Sequence, residues 1–301
     1  MSTMRRFAIL PIAILVLAAC QAGTGDGSPG ATGGTGDAVC DGDGLEGHLA
    51  EVCEAGVLVI STDPAYPPQS FLNEETGEYE GFDIDVAIEI ANRLGVDYEF
   101  TDPTFDAVVA GNWSGRWDVS VGSVTVTEDR KEVLAVTQPY YFTPAQLAAF
   151  TDADVASVDD LAGETVCAGE ATTYLSWMEG ELSLPAEAGD IAEVPEGMES
   201  TTLPTDIDCA EAWRSGRTDD FAGWLTALPT AQGAIDEGYP VKLVGDPVFY
   251  EPLAVAFDLA AENGDSLVSA VDEIIGEMHE DGTLTSLSEK WYEGVDLTTQ
   301  E

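Results

Sequence analysis

The sequence predicts an α/β fold, and two observations carry that expectation. Apolar residues make up 45% of the 301, enough to bury a core. Short apolar runs of strand length then alternate with longer segments of helical period. Val57-Leu58-Val59-Ile60 reads as a buried strand, and Val96 to Phe100 and Asp118 to Val121 as further strands. Between the first two lies Asp83 to Leu94, where Val86, Ala87, Ile90, Ala91 and Leu94 share one helical face. Asp83 is the expected N-cap of that helix and Gly95 its stop. A second strand–helix series runs from Thr165 through about Val244. Leu267 to His279 and Thr283 to Tyr292 close the chain as two helices, and the folded part is expected to begin near Leu45. The length allows one large domain or two of ordinary size.

Charge narrows the functional classes. Asp and Glu total 57 against 10 Lys and Arg, for a formal charge of −47. Nucleic-acid binding needs basic residues to neutralise phosphates, so it is excluded. The acids are scattered rather than clustered with metal-loop spacing; Asp41 and Asp43 make only a fragment of a calcium loop. With only His48 and His279, and no CxxC, neither a metal nor a cofactor is expected. Gly23, Gly25 and Gly27 follow no strand, and no GxxxxGK[ST] occurs. A solvated acidic surface that high external salt would screen is the expectation, which is halophily.

At the N-terminus, Arg5 and Arg6 precede an apolar run from Phe7 to Ala19. Thirteen residues are too few to span a bilayer and suit a signal-peptide core. The run ends in Leu17-Ala18-Ala19-Cys20, which resembles the lipobox of bacterial lipoproteins. The resemblance implies cleavage before Cys20, lipidation of its sulfur and a stable anchor to a membrane. Loss of Arg5 and Arg6, with no acid removed, takes the charge from −47 to −49. Gln21 to Gly44, rich in Gly, Thr, Asp and Ser, reads as a flexible tether with a reach of about 25–30 Å. Four cysteines remain, Cys40, Cys53, Cys167 and Cys209, and export makes disulfides plausible. Three pairings are possible; Cys40–Cys53 with Cys167–Cys209, the two local loops, is favoured.

Further motifs resemble a known family. Thr62-Asp63-Pro64-Ala65-Tyr66-Pro67-Pro68 is followed by Gly81-Phe82-Asp83-Ile84-Asp85-Val86-Ala87 and Arg93-Leu94-Gly95. Then come Gly122-Ser123-Val124-Thr125-Val126-Thr127-Glu128-Asp129-Arg130, Gln138-Pro139-Tyr140-Tyr141, Asp281-Gly282-Thr283-Leu284 and Glu289-Lys290-Trp291-Tyr292. In this order, over roughly 56–294, they resemble the family 3 extracellular solute-binding proteins, the polar amino-acid receptors of ABC importers. The resemblance implies a two-lobed, periplasmic-binding-protein-like fold of type II, with two crossover hinge strands. Carried over, residues 1–19 are a lipoprotein signal peptide and 20–54 a lipidated Gly-rich tether leading into the fold. Residues 55–146 plus 249–301 would form lobe 1 and 147–248 lobe 2, closing on ligand by a hinge.

The same resemblance sets the ligand's α-carboxylate against Arg130, whose guanidinium offers two parallel donors. Gly122, Ser123 and Thr125 lie where family members use amides and hydroxyls. Gly169, Thr172, Thr173 and Tyr174 sit at a strand-to-helix turn that can face an anion, although capping alone would select Thr there. Tyr66 and Phe105 occupy cleft-lining positions, with lobe core as the plain alternative. Asp63 matches a cleft position and could equally be a turn acid. One departure matters. Where many amino-acid binders carry an Asp for the ligand's ammonium, this chain has Trp224. Asp63 and Glu251 are the substitutes considered; otherwise Trp224, with Tyr66 and Phe105, faces a delocalised cation. Trp224 as lobe core is the plain reading.

The expected function is an extracytoplasmic, lipid-anchored receptor, monomeric, that delivers a small zwitterion to ABC permease subunits. The alternative is a compatible-solute receptor of the ectoine or betaine type. An enzyme of the dehydratase kind would need a poised acid or base in the cleft, and Glu170 is the odd acid near it. A sensory binding domain would sit beside a membrane helix and a kinase domain.

Overall fold

Cys40, in a 3-10 turn at Val39–Asp41, is joined to Cys53 in α1 (Gly47–Ala55). The structure, a computed structural model, describes residues 38–299, so the signal peptide, Cys20 and most of the tether lie outside the described residues. Ordered structure therefore begins before Leu45, correcting the expected start. Leu49, Val52 and Cys53 share a helical face that packs into the core, and Gly56, at φ 70°, ends the helix.

β1 (Val57–Ser61) follows, and then β2 (Ala65–Tyr66), β3 (Ser70–Leu72) and β4 (Tyr79–Glu80) make a small antiparallel sheet. Strands this short carry no periodic signal, so sequence reading passes over them. α2 (Phe82–Leu94) buries the predicted face of Val86, Ala87, Ile90, Ala91 and Leu94 and stops at Gly95. Its cap is Gly81, not Asp83. At φ 133°, a Cβ on Gly81 would lie 2.2 Å from the Gln69 carbonyl oxygen, so no other residue fits. Asp83 instead sits in the first turn with its carboxylate turned inward, at 0% exposure.

The chain continues through β5 (Asp97–Thr101), α3 (Phe105–Val109), β6 (Val119–Thr125), β7 (Leu134–Val136) and β8 (Tyr141–Phe150). The second series comprises β9 (Thr165–Gly169), α4 (Thr173–Met178), β10 (Glu199–Leu203), α5 (Asp208–Arg214), β11 (Gly223–Ala227) and α6 (Leu228–Asp236). β12 (Val241–Asp258), α7 (Asp265–Glu280) and α8 (Thr283–Trp291) complete it.

One nine-stranded sheet organises the whole, in the order β10-β9-β11-β8-β12-β6-β1-β5, with β7 against β12. β1 runs parallel to β5 and β6, and β9 runs parallel to β10 and β11. Between these halves β8 and β12 pair antiparallel, from Leu253 opposite Tyr141 to Val241 opposite Phe150, with a register shift between Val244 and Phe249. They are the two crossover strands of a two-lobed α/β architecture. On one side Leu58, Ile60, Phe82, Ile90, Val255 and Ile275 share a core; on the other, Leu147, Val166, Trp177, Leu225 and Phe249 share theirs. Fully burying each such side chain contributes roughly 1.5–3 kcal/mol. A second disulfide, Cys167–Cys209, ties β9 to α5 across 42 residues. Closing a loop of that length stabilises by about 4 kcal/mol in the chain-entropy picture.

Candidate functional site

The loops that leave the carboxyl ends of β1, β6, β9 and β10 converge on one cavity, the usual place for a ligand in such sheets. Asp63, Tyr66, Phe105, Gly122, Ser123, Thr125, Arg130, Thr172 and Thr173 line it, and so do Gly169, Glu170 and Tyr174. Two glycines make the convergence possible. A Cβ on Gly122 would come within 3.3 Å of the Asp63 amide, and one on Gly169 within 3.2 Å of the Asp206 amide.

Arg130 forms one pole. It opens the 3-10 turn after β6 and is 8% exposed. Its Nη1 donates to the Thr125 carbonyl at 3.0 Å and its Nη2 to the Ala171 carbonyl at 3.0 Å, reaching from one half of the sheet to the other. The guanidinium carbon lies 5.3 Å from the centre of the Phe105 ring. Burial lowers its pKa to about 10, while Glu251 and Tyr174 favour the charge, so it stays cationic at neutral pH. Among the described residues, no carboxylate is within ion-pair distance of it, although Arg93, Lys131, Arg214, Arg217 and Lys290 each have one.

Facing it is an acidic pole built by Glu251 and Asp206. Glu251, on β12 and 2% exposed, accepts from Thr125 at 2.7 Å, Tyr174 at 2.6 Å, Thr143 at 3.4 Å and the Thr173 hydroxyl. The Tyr66 and Tyr174 hydroxyls lie 2.8 Å apart beside it, again joining the two halves. Asp206, in the turn between β10 and α5, is 5% exposed. Its Oδ2 accepts from the Thr226 hydroxyl, whereas Oδ1 takes no hydrogen bond of ordinary geometry. Burial raises its pKa to about 7; the Thr226 hydroxyl, the Trp224 indole and the Gly169 amide oppose the rise, and Glu251 adds to it.

Several side chains make contacts that the sequence reading either did not foresee or gave as the plain alternative. Ser123 holds a left-handed backbone at φ 56°, and its hydroxyl turns away to Asp83 at 2.6 Å and the Tyr141 hydroxyl at 2.5 Å. Thr172 caps α4, accepting from the Leu175 amide at 3.3 Å and donating to the Gly169 carbonyl at 2.9 Å. Asp63 binds the Ala65 amide at 2.9 Å, as a turn acid does, and burial raises its pKa. Trp224 does not line the cavity. It is 0% exposed, packed with Ala148, Cys167, Cys209, Trp213 and Phe221, because β11 is covered on both faces. Pro204, Thr205 and Asp206 were missed by sequence reasoning, although they follow directly on the strand 199–203, at the carboxyl end where ligands gather.

Comparison with known proteins shows the family and the fold. The model of the bacterial extracellular solute-binding proteins, family 3, matches residues 58–294. The L-cystine-binding protein TcyJ of Escherichia coli (strain K12) is 29% identical over 256 residues, covering 84% of this chain and 88% of that protein. The probable amino-acid-binding protein YxeM of Bacillus subtilis (strain 168) is 30% identical over 245 residues, 81% of this chain and 86% of that one. Among solved structures, the ancestral amino acid-binding protein AncCDT-1, a precursor of cyclohexadienyl dehydratase, superposes with a TM-score of 0.68 at 26% identity. That superposition covers 81% of this chain and 99% of the other. An ancestral arginine-binding protein bound to arginine gives 0.67 at 27%, over 79% and 98%. The chain belongs to the bacterial extracellular solute-binding proteins of family 3.

Proposed function

We propose that this solute-binding protein is the lipid-anchored, monomeric receptor of an ABC importer and that its cavity takes an amino acid or close derivative as the zwitterion. The observation that carries the reading is the pairing of poles. A buried guanidinium with no carboxylate partner faces two buried carboxylates, and a zwitterion satisfies both ends. In this reading Arg130 takes the ligand carboxylate, beside Gly122 and Thr125, and the acidic pole takes the positive end. Tyr66 and Phe105 form apolar walls. Residues 55–146 plus 249–301 act as one lobe and 147–248 as the other, with β8 and β12 as the hinge, and the ligand holds them closed.

A compatible solute is the second reading, and it is disfavoured. Its aromatic cage would need Trp224, which lies in the core, and the Phe105 face, beside which Arg130 already sits. We also read the chain as a binder rather than an enzyme. His48 pairs with Asp118 and His279 with the Pro139 carbonyl, both outside the cavity. Recovery of chemically altered ligand after incubation would reverse that reading.

Calorimetric titration of the intact protein with amino acids, ectoine and glycine betaine tests the proposal. Binding of amino acids is the expected result; binding of ectoine or betaine alone would select the second reading, and no binding at all would sink both. Cys20 lies outside the described residues, and the anchor is tested by mass spectrometry, where an unmodified Cys20 refutes it. The dense surface acidity is read as adaptation to high external salt.

A further inference from the structure

We infer that the cavity is built for a ligand of net positive charge, a cationic amino acid with one carboxylate and two positive groups. The inference rests on the zwitterion reading above and deepens it. The charges facing the cavity do not balance for a neutral zwitterion. Arg130 and one ligand ammonium supply two positive charges. The ligand carboxylate, Glu251 and Asp206 supply three negative ones, with both side chains at least 95% buried, and Asp63 and Glu170 add two further acids to the same lining. A buried carboxylate left without a counter-charge is costly, so a second positive group is the natural complement.

The two acids are not equivalent. Glu251 is ringed by four hydroxyl donors, from Thr125, Thr143, Thr173 and Tyr174, so its hydrogen-bonding capacity is met within the protein. Asp206 lines the cavity with one oxygen held by Thr226, while the other is buried and takes no hydrogen bond of ordinary geometry, with the Trp224 indole and the Gly169 amide acting on the same carboxylate. The Asp206 carboxylate, the less satisfied of the two, therefore draws one positive group, and the other sits within the field of Glu251. Thr226, on β11, is a positioning residue that aims the Asp206 carboxylate.

Titration calorimetry of the intact protein at pH 8 tests this, with L-arginine, L-lysine and L-ornithine against L-glutamine and L-cystine. At least one cationic amino acid is expected to bind ten-fold or more tightly than either neutral one. Asp206→Asn should weaken that ligand at least ten-fold and the neutral ones less than three-fold, with circular dichroism unchanged. Thr226→Val should give the same pattern at smaller amplitude, and it serves as the readout if Asp206→Asn does not fold. Tighter binding of a neutral amino acid by the wild type overturns the inference and leaves the zwitterion reading standing. So does an equal loss for both classes in Asp206→Asn. Failure of every amino acid to bind overturns the zwitterion reading itself.

Discussion

Asp83 and Asp206 are two buried aspartates of similar acidity in opposite surroundings. Burial raises each to about 7. Asp83 has both oxygens occupied, Oδ2 by the Ser123 hydroxyl at 2.6 Å and Oδ1 by the Tyr140 hydroxyl at 2.7 Å. It lies off the cavity, at 0% exposure, against the Phe82, Tyr140 and Tyr141 rings. Asp206 lines the cavity with one oxygen occupied by Thr226 and the other buried without a hydrogen bond of ordinary geometry. Buried polar groups are nearly always satisfied, so an under-satisfied carboxylate in a cavity lining marks a place for a group that comes and goes. A full set of fixed donors marks a structural device. Ser123 belongs to the second kind: its strained backbone is held by Asp83 and Tyr141, so it shapes the wall rather than serving as a free donor.

The contrast can be broken by mutation. The largest effect is expected opposite Asp206, where Arg130→Ala should lower affinity for carboxylate ligands at least 100-fold, or about 3 kcal/mol. Calorimetry measures this, and retained affinity would mean that the carboxylate binds elsewhere. Next, Asp83→Ala leaves the Ser123 and Tyr140 hydroxyls without their acceptor. It should cost about 2–4 kcal/mol in urea unfolding and leave the ranking of cationic over neutral ligands intact. Unchanged stability with a changed ranking would exchange the roles assigned to the two aspartates.

The pH dependence is smaller and has a definite sign. An aspartate whose pKa is raised by folding binds protons more readily when folded, so stability falls as pH climbs from about 4 to about 7. Asp206→Asn removes one of these contributions, to which the raised Asp63 also adds. The ligand-free variant should show a flatter profile across that window and be about 1–3 kcal/mol more stable than wild type at pH 8. Parallel urea-midpoint profiles would show that Asp206 titrates normally. Finally, the surface acids predict a thermal midpoint that rises from low to multimolar sodium chloride. Asp83→Ala and Asp206→Asn should leave that rise unaltered, because buried charges are screened less. Equal midpoints in low and high salt would refute halophily.

Much of this was legible in the sequence, for physical reasons. The face of Val86, Ala87, Ile90, Ala91 and Leu94 repeats at helical spacing, and Gly95 supplies the left-handed stop at φ 85°. Arg130 stood out as one of few cations in a strongly acidic chain, inside an ordered motif. Local chemistry and short spacing determine such features, so one dimension is enough to read them.

Trp224, Asp83 and Asp206 needed three dimensions. β11 is buried along its whole length, so no alternation tells which of its residues face the cavity and which the core. Asp83 looks like a cap until Gly81, forced by the Gln69 carbonyl, takes that place. Asp206 is one acid among 57, and only the turn after β10, laid against Gly169 and Thr226, makes it part of a site. The sequence alone marked β1, β5, β6, α2 and the two closing helices and, by resemblance, Arg130. The place of Asp206 in the acidic pole was decided by tertiary packing, because whether a carboxylate is solvated or buried in a cavity wall depends on neighbours far away in the chain.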